Sequence, residues 1–118
     1  MAAPNLKNPT TIIGKTVVGI ATTTLTVVLS NAASSGKVLK INVAKAANTT
    51  TSGATVDLSF YRGSTHTYFI EGASVPPNGS LVIIDKNEYA YVEEGDAIYA
   101  RSNTLSAIDL IIHYEEIS

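Results

Sequence analysis

Apolar and polar residues alternate one by one along several stretches of this chain. In VLKINVA, the apolar Leu39, Ile41 and Val43 are separated by single residues of other character, and ATVDLSFYR and SAIDLIIHYEEI show the same alternation. Successive side chains of a β-strand point to opposite faces. The alternation therefore predicts strands that bury one face in a core and turn the other toward solvent or a partner.

Clusters of Gly, Pro, Asn and Ser separate these stretches, as in SNAASSGK, ANTTTSGA, RGST and GASVPPNGS. Such clusters mark turns, and RGST is short enough for a tight hairpin. We expect eight or nine strands, at residues 12–20, 22–29, 37–46, 55–61, 66–71, 80–85, 89–92, 97–102 and 106–116. The side chains expected to be buried between two sheets are Leu39, Ile41, Val56, Leu58, Phe60, Ile108, Leu110 and Ile112.

Short, regularly spaced strands without a helical stretch predict an all-β fold, specifically an antiparallel β-sandwich. The many Thr, Val and Ile residues agree, because β-branched side chains pack well on a pleated surface. The pattern does not give the strand order, so Ig-like and jelly-roll arrangements both stay open. The 118 residues suffice for one domain, which we place at 12–118 behind an extended N-terminal arm at 1–11.

Charge and cysteine content exclude several classes of protein. The net charge is only −2, and the basic residues are scattered, so no basic patch is available for nucleic acid or an anionic membrane. Without cysteine there is no disulfide framework and no thiolate nucleophile. No apolar run approaches the roughly 18 residues of a membrane-spanning helix, and MAAPNLKNPT lacks the apolar segment of a signal peptide. We expect a soluble protein without nucleic-acid or membrane partners.

The stretch YVEEGDAIYA is the densest cluster of charge, with Glu93, Glu94 and Asp96 around Gly95. A calcium loop would need more oxygen ligands at regular spacing. Glycine supplies a positive φ at no steric cost, and acidic side chains at a hairpin tip stay hydrated. We interpret the cluster as a hairpin turn without a catalytic or metal-binding role.

Other candidate chemistry is sparse. His66 and His113 lie on different predicted strands and lack metal-ligand spacing. The sequence contains no P-loop, nucleophile elbow or dinucleotide-binding glycine motif. We therefore predict a protein that is not an enzyme and has no catalytic residue, metal or cofactor.

Tyrosines offer one binding alternative. Tyr61, Tyr68, Tyr89, Tyr91 and Tyr99 could line a sugar-binding face, although the chain has no Trp. Tyrosine in a strand also serves as a packing residue with a buried ring and a wet hydroxyl. A glycan-binding module remains the less favoured alternative.

Two regions are the candidate contacts for assembly. The arm is polar except for one large aliphatic side chain, and its prolines favour an extended course that can lie across a neighbouring subunit. The last strand turns a second apolar-containing face outward. The expected contact residues are Pro4, Asn5, Leu6, Lys7, Pro9, Ile111 and His113.

Four segments cover most of the chain: GKTVVGIATTTLTVVLSNAASSGKVLKINVAKAAN, VDLSFYRG, ASVPPNGSLVIIDKNEYAYVEEGDAIYARS and IIHYEEIS. These segments resemble small virion structural proteins of tailed bacteriophages, specifically marine and cyanobacterial phages. The most specific part of the resemblance is YVEEGD with the closing YEEIS. The resemblance implies a structural protein of the virion, made in the host cytoplasm, with the major capsid protein or other virion proteins as partners. A homo-oligomer that decorates and cements the capsid is favoured, and a neck, tail or fibre component is the alternative.

Overall fold

The computed structural model describes Pro4 and residues 6–118, and its strands form two antiparallel sheets. The strands are β1 (Ile12–Ile20), β2 (Thr26–Ser30), β3 (Val38–Asn48), β4 (Ala54–Arg62), β5 (Thr65–Val75), β6 (Ser80–Ile84), β7 (Ala90–Val92), β8 (Ala97–Ser102) and β9 (Ile108–Ile117). One 3₁₀ turn, Lys86–Glu88, precedes β7. The predicted all-β sandwich is confirmed.

The pairing order resolves the choice between the two sandwich types. One sheet has five strands in the order β1-β9-β3-β6, with β7 also paired to β3, and the other has the order β2-β8-β4-β5. The first strand thus pairs with the last, the second with the next to last, and so on inward. This nested pairing between two sheets is the arrangement of a jelly roll. An Ig-like order is ruled out because β1 and β2 lie in different sheets.

The core lies between the two sheets, where the alternation predicted it. Seven of the eight predicted side chains are buried in the core cluster, and the exception is Phe60. Phe60 is half-buried near the end of β4, where its ring meets Phe69 edge-on at 6.1 Å between ring centres. Phe60 packs against the core but stays partly exposed, so the prediction that it is buried was too strong.

Local turn chemistry explains two shifted boundaries. The second strand begins at Thr26 because the hydroxyls of Thr22 and Thr26 both donate to the carbonyl of Thr24 and close a turn. The fifth strand continues through Gly72, whose φ of 66° marks a bulge and whose N–H donates to Asp57 Oδ1. The tight hairpin predicted after Arg62 is present.

The acidic turn is not a hairpin tip, contrary to the sequence interpretation. The strand before it, β7, pairs with β3 in the five-stranded sheet, and the strand after it, β8, pairs with β2 and β4 in the other sheet. The turn therefore carries the chain across the top of the sandwich. Gly95 has a φ of 87°, so the predicted positive φ is confirmed.

Candidate functional site

The outer face of the five-stranded sheet carries an apolar surface that the described part of the chain leaves uncovered. We call Val18, Ile20, Ala47, Val82 and Ile111 the apolar face. Val18 is 70% exposed, Ile20 60% and Val82 52%. The outward positions of a sandwich strand are normally polar, because they face water. Exposed apolar side chains that cluster in this way indicate a binding surface.

Strand register brings these residues together. Val18 lies opposite Ile111 on β9, Ile111 opposite Lys45 on β3, and Lys45 opposite Val82 on β6. The neighbouring row is Ile20, Asp109, Ala47 and Ser80. Most of these residues line an open groove of about 690 Å³. The surface thus spans four adjacent strands.

Two opposite charges lie within this surface. Lys45 and Asp109 are exposed on adjacent strands at diagonal positions, each with apolar neighbours on both sides in its row. Neither forms an ion pair or a side-chain hydrogen bond with another described residue. Both charges are therefore available to a partner.

The structure separates the two regions that the sequence predicted as contacts. Ile111 lies in the apolar face, and His113 follows on the same face, where its Nδ1 shares a hydrogen bond of 3.2 Å with Thr16 Oγ1. Pro4 and Leu6 lie beside Val38 at the far end of the sheet. Val38 is paired with Ile117, six positions and roughly 20 Å along β9 from Ile111.

The described residues of the arm lie against their own domain. Pro4 and Leu6 line a small pocket with Val38, Tyr91 and Glu93. Val38 and its strand neighbour Ile117 are also buried, but they are not part of the hydrophobic core between the sheets. At the end of the arm, the N–H groups of residues 10 and 11 donate to the carbonyl of Ser118.

Of the other predicted arm contacts, Lys7 is exposed and Pro9 is half-buried. Asn5 lies outside the described residues. The arm's contact with neighbouring subunits stays a prediction.

The acidic turn is held by specific partners. Asp96 is buried, and its carboxylate accepts hydrogen bonds from Arg62 Nε (3.0 Å), Arg62 Nη2 (2.5 Å) and the N–H of Glu93 (3.0 Å). Arg62 also donates to Glu93 (2.5 Å), while Glu94 accepts from the N–H of Gly36 (2.9 Å). The hydrogen bonds to Asp96 raise the pKa of Arg62 above its usual value. The carboxylates therefore fix a crossover, and the expectation that all of them stay hydrated was wrong for Asp96.

A buried asparagine joins this turn to the loop before β3. The amide of Asn31 donates to the carbonyls of Lys37 (2.9 Å) and Val92 (3.0 Å), and its backbone N–H donates to the carbonyl of Asp96 (3.0 Å). The N–H of Gly95 donates back to the carbonyl of Asn31 (2.8 Å). A buried polar group is stable only when its hydrogen bonds are satisfied, which this network achieves.

A second ion-pair cluster lies near the C-terminal end of β9. Glu116 is bonded to Lys15 on β1 (3.2 Å) and to Lys37 before β3 (3.3 Å). Burial alone would raise the pKa of Glu116, but the hydrogen bonds from the two lysines outweigh it and lower that pKa. The carboxylate thus ties the end of β9 to its neighbours on both sides.

The aromatic residues do not form one face. The rings of Tyr61, His66 and Tyr99 pack together on the four-stranded sheet, with centres 4.6 to 5.1 Å apart. Ser59 is buried beside them and shares a hydrogen bond of 3.0 Å with Nδ1 of His66. The three rings pack against one another, as is typical of tyrosines that serve as packing residues.

Tyr89 and Tyr91 lie apart from that cluster, on the side of the five-stranded sheet. Their rings meet at 5.6 Å, and the Lys40 ammonium lies 4.6 Å from the centre of the Tyr89 ring. Tyr68 lies opposite Ser59 on β5, in the same cross-strand row as Tyr99, and is 36% exposed. The glycan-binding alternative stays a hypothesis.

The described residues offer no metal centre and no membrane-spanning helix. Among them, no group of three or more His, Cys, Asp or Glu side chains is placed to hold a metal ion. No helix in this part of the chain is long and apolar enough to cross a membrane. Compared with known proteins, the chain matches no family model and no curated sequence. The apolar face is thus the strongest candidate for function.

Most of the apolar face was missed by the sequence prediction, which placed only Ile111 on a contact surface. A signal existed in β1, IIGKTVVGI, where apolar residues occupy both faces of the strand. Only one of these faces packs on the core, through Val17. The apolar residues on the other face, which include Val18 and Ile20, indicate that this face also contacts an apolar surface.

Proposed function

We propose that this protein is a non-enzymatic structural protein of a bacteriophage virion and that it decorates the capsid surface. The observation that carries the assembly role is the apolar face, with Val18, Ile20 and Val82 more than half exposed. Leaving such side chains in water costs about 1 to 2 kcal/mol each relative to full burial. A surface of this kind is stabilised when another protein covers it.

The fold supports the same proposal. A jelly roll is one of the architectures found in viral capsid and lectin domains, although a fold alone does not define a function. Among the described residues, every buried side-chain nitrogen or oxygen atom has a hydrogen-bond partner, as expected of side chains with a structural role. The resemblance to small virion proteins of tailed bacteriophages supplies the virion location within this proposal.

Copy number in purified particles tests the proposal. Particles of the phage that encodes this chain are purified on a density gradient, and the protein is quantified by mass spectrometry relative to the major capsid protein. Hundreds of copies per particle support capsid decoration. Far fewer copies contradict capsid decoration and support the alternative, a neck, tail or fibre component. Absence from washed particles contradicts the virion role itself.

Reconstitution adds an independent measurement. Particles stripped of this protein are mixed with purified protein, and the occupancy is measured after removal of unbound material. Saturable binding with a stoichiometry tied to the capsid lattice supports decoration. Binding that never saturates, or that is equal on unrelated particles, contradicts it.

A further inference from the structure

We infer that the apolar face pairs with the same face of a second copy of this chain, in a two-fold dimer. In this dimer, Lys45 of each subunit meets Asp109 of the partner subunit. The inference rests on the assembly role proposed above and names its partner. It does not depend on the virion location.

The first argument is the chemistry of the surface. The apolar face is flanked by one basic and one acidic side chain, so its formal charge is zero. A strongly charged partner would require a surface of one sign. An uncharged apolar surface with one charge of each sign instead complements a copy of itself.

The second argument is the position of the two charges. Lys45 and Asp109 lie on adjacent strands, two residue pairs apart along the ladder, and they do not form an ion pair with each other. A two-fold axis that passes between them exchanges their positions. Each lysine then faces the partner's aspartate, so the interface contains two symmetry-related ion pairs. Two-fold interfaces have this reciprocity by symmetry.

The third argument is the cost of leaving the charges as they are. Lys45 lies between Ile111 and Val82 in its row, and Asp109 lies between Ile20 and Ala47. Any protein that covers the apolar side chains also covers these charges. A buried charge is tolerated only when it is paired, so the partner must present an acid opposite Lys45 and a base opposite Asp109. A second copy supplies both.

The experiment uses charge reversal at each position. Self-association of the full chain is measured by sedimentation velocity at protein concentrations from about 1 µM to about 1 mM. The variants are Lys45→Glu, Asp109→Lys and an equimolar mixture of the two. Each single variant places like charges together twice in its own dimer, so its Kd should rise at least about tenfold. In the mixture both contacts are again between opposite charges, and the Kd should return to within about threefold of the parent.

Two matched controls separate this effect from general changes in charge or solubility. Lys86→Glu reverses an exposed lysine in the 3₁₀ turn, away from the apolar face, and should leave the Kd unchanged. Val18→Asp should abolish the dimer, whereas Leu105→Asp, at a loop side chain that is 65% exposed, should not. Circular dichroism and thermal unfolding verify that every variant is folded before its Kd is compared.

The outcomes are distinct. A parent protein that stays monomeric at the highest concentration overturns the inference and leaves the apolar face to a different protein. Single variants that weaken the dimer without rescue in the mixture overturn the two-fold pairing of Lys45 with Asp109. A rescued dimer in a protein that is absent from particles supports this inference while contradicting the virion proposal. A protein that binds particles but never dimerises supports the virion proposal while contradicting this inference.

Discussion

Replacing Asp96 by alanine should destabilise the protein far more than neutralising both glutamates in the same turn. Sequence alone treats the three carboxylates alike, but the structure gives them different surroundings. The Asp96 side chain is only 5% exposed, whereas that of Glu93 is 57% exposed. The comparison tests whether the turn is a hydrated loop or a fixed connection between the sheets.

The magnitude follows from the hydrogen bonds that are lost. The Asp96 carboxylate accepts two from Arg62 and one from the N–H of Glu93. Hydrogen bonds to a charged group are worth about 1.5 to 3 kcal/mol each, and those on one carboxylate are not additive. Because the freed Arg62 is half-exposed and can be hydrated, we expect Asp96→Ala to cost about 3 kcal/mol in total. For a domain of this size that corresponds to a fall in Tm of about 12 °C.

The double variant Glu93→Gln with Glu94→Gln is the matched comparison. Glutamine keeps an acceptor oxygen for Arg62 and for the N–H of Gly36, so the change should be about 0.5 kcal/mol, as for most surface substitutions. A calcium-dependent rise in Tm that disappears in the double variant would contradict the turn interpretation.

The assay is urea unfolding followed by circular dichroism, with the free energy of unfolding compared at equal slopes. A double-mutant cycle with Arg62→Ala assigns the effect to the ion pair. If the pair is responsible, Asp96→Ala should cost at least about 1 kcal/mol less in the Arg62→Ala background. A cost below about 1 kcal/mol for Asp96→Ala alone would refute the argument that this carboxylate fixes the crossover.

The remaining predictions concern conformation, packing, pH and the arm. Gly95→Val should lower the free energy of unfolding by about 1 to 2 kcal/mol, because a β-branched residue resists a φ of 87°; an unchanged urea midpoint would contradict this. Leu58→Ala and Leu110→Ala should each cost about 2 to 5 kcal/mol from lost burial and a cavity. If either variant has nearly the parent Tm, the assignment of that core face is wrong. Because folding lowers the pKa of Glu116, its ionised carboxylate stabilises the fold at pH values above the ordinary pKa of 4.5. This contribution is lost as the pH falls through the folded-state pKa. The difference in Tm between parent and Glu116→Gln should therefore shrink below about pH 4.5, and a constant difference would count against the ion pairs. Deletion of residues 1–11 should leave a folded sandwich, because the first buried residue of the hydrophobic core is Ala21. The deletion should, however, reduce the occupancy of the protein on stripped particles. Equal occupancy would contradict an assembly role of the arm.

Local pattern was sufficient for most of the strands. The bounds of β1 and β8 agree with the prediction, and the other strands differ mainly at their ends. The fifth strand was ended too early because Gly72 has the appearance of a turn residue. In the structure Asp57 on β4 accepts its N–H and lets the strand continue. A contact between residues fifteen positions apart is not visible in local sequence.

Long-range pairing decided the rest. Asp96 became a buried anchor because the pairing of β4 with β8 brings Arg62, 34 residues away, to its side. The apolar character of β1 on both faces could be read from the chain, but not which face would pack on the core. That choice depends on β9, at the other end of the sequence, and on the register that sets Val18 opposite Ile111.

The sequence by itself determined the all-β class, the approximate positions of the strands and most of the inward side chains, because alternation and turn chemistry act over a few residues. The tertiary structure alone decided the jelly-roll order, the role of the acidic turn and the location of the apolar face. Each of these depends on which distant strands pair, and the free energy of that pairing comes from the packing of the whole core.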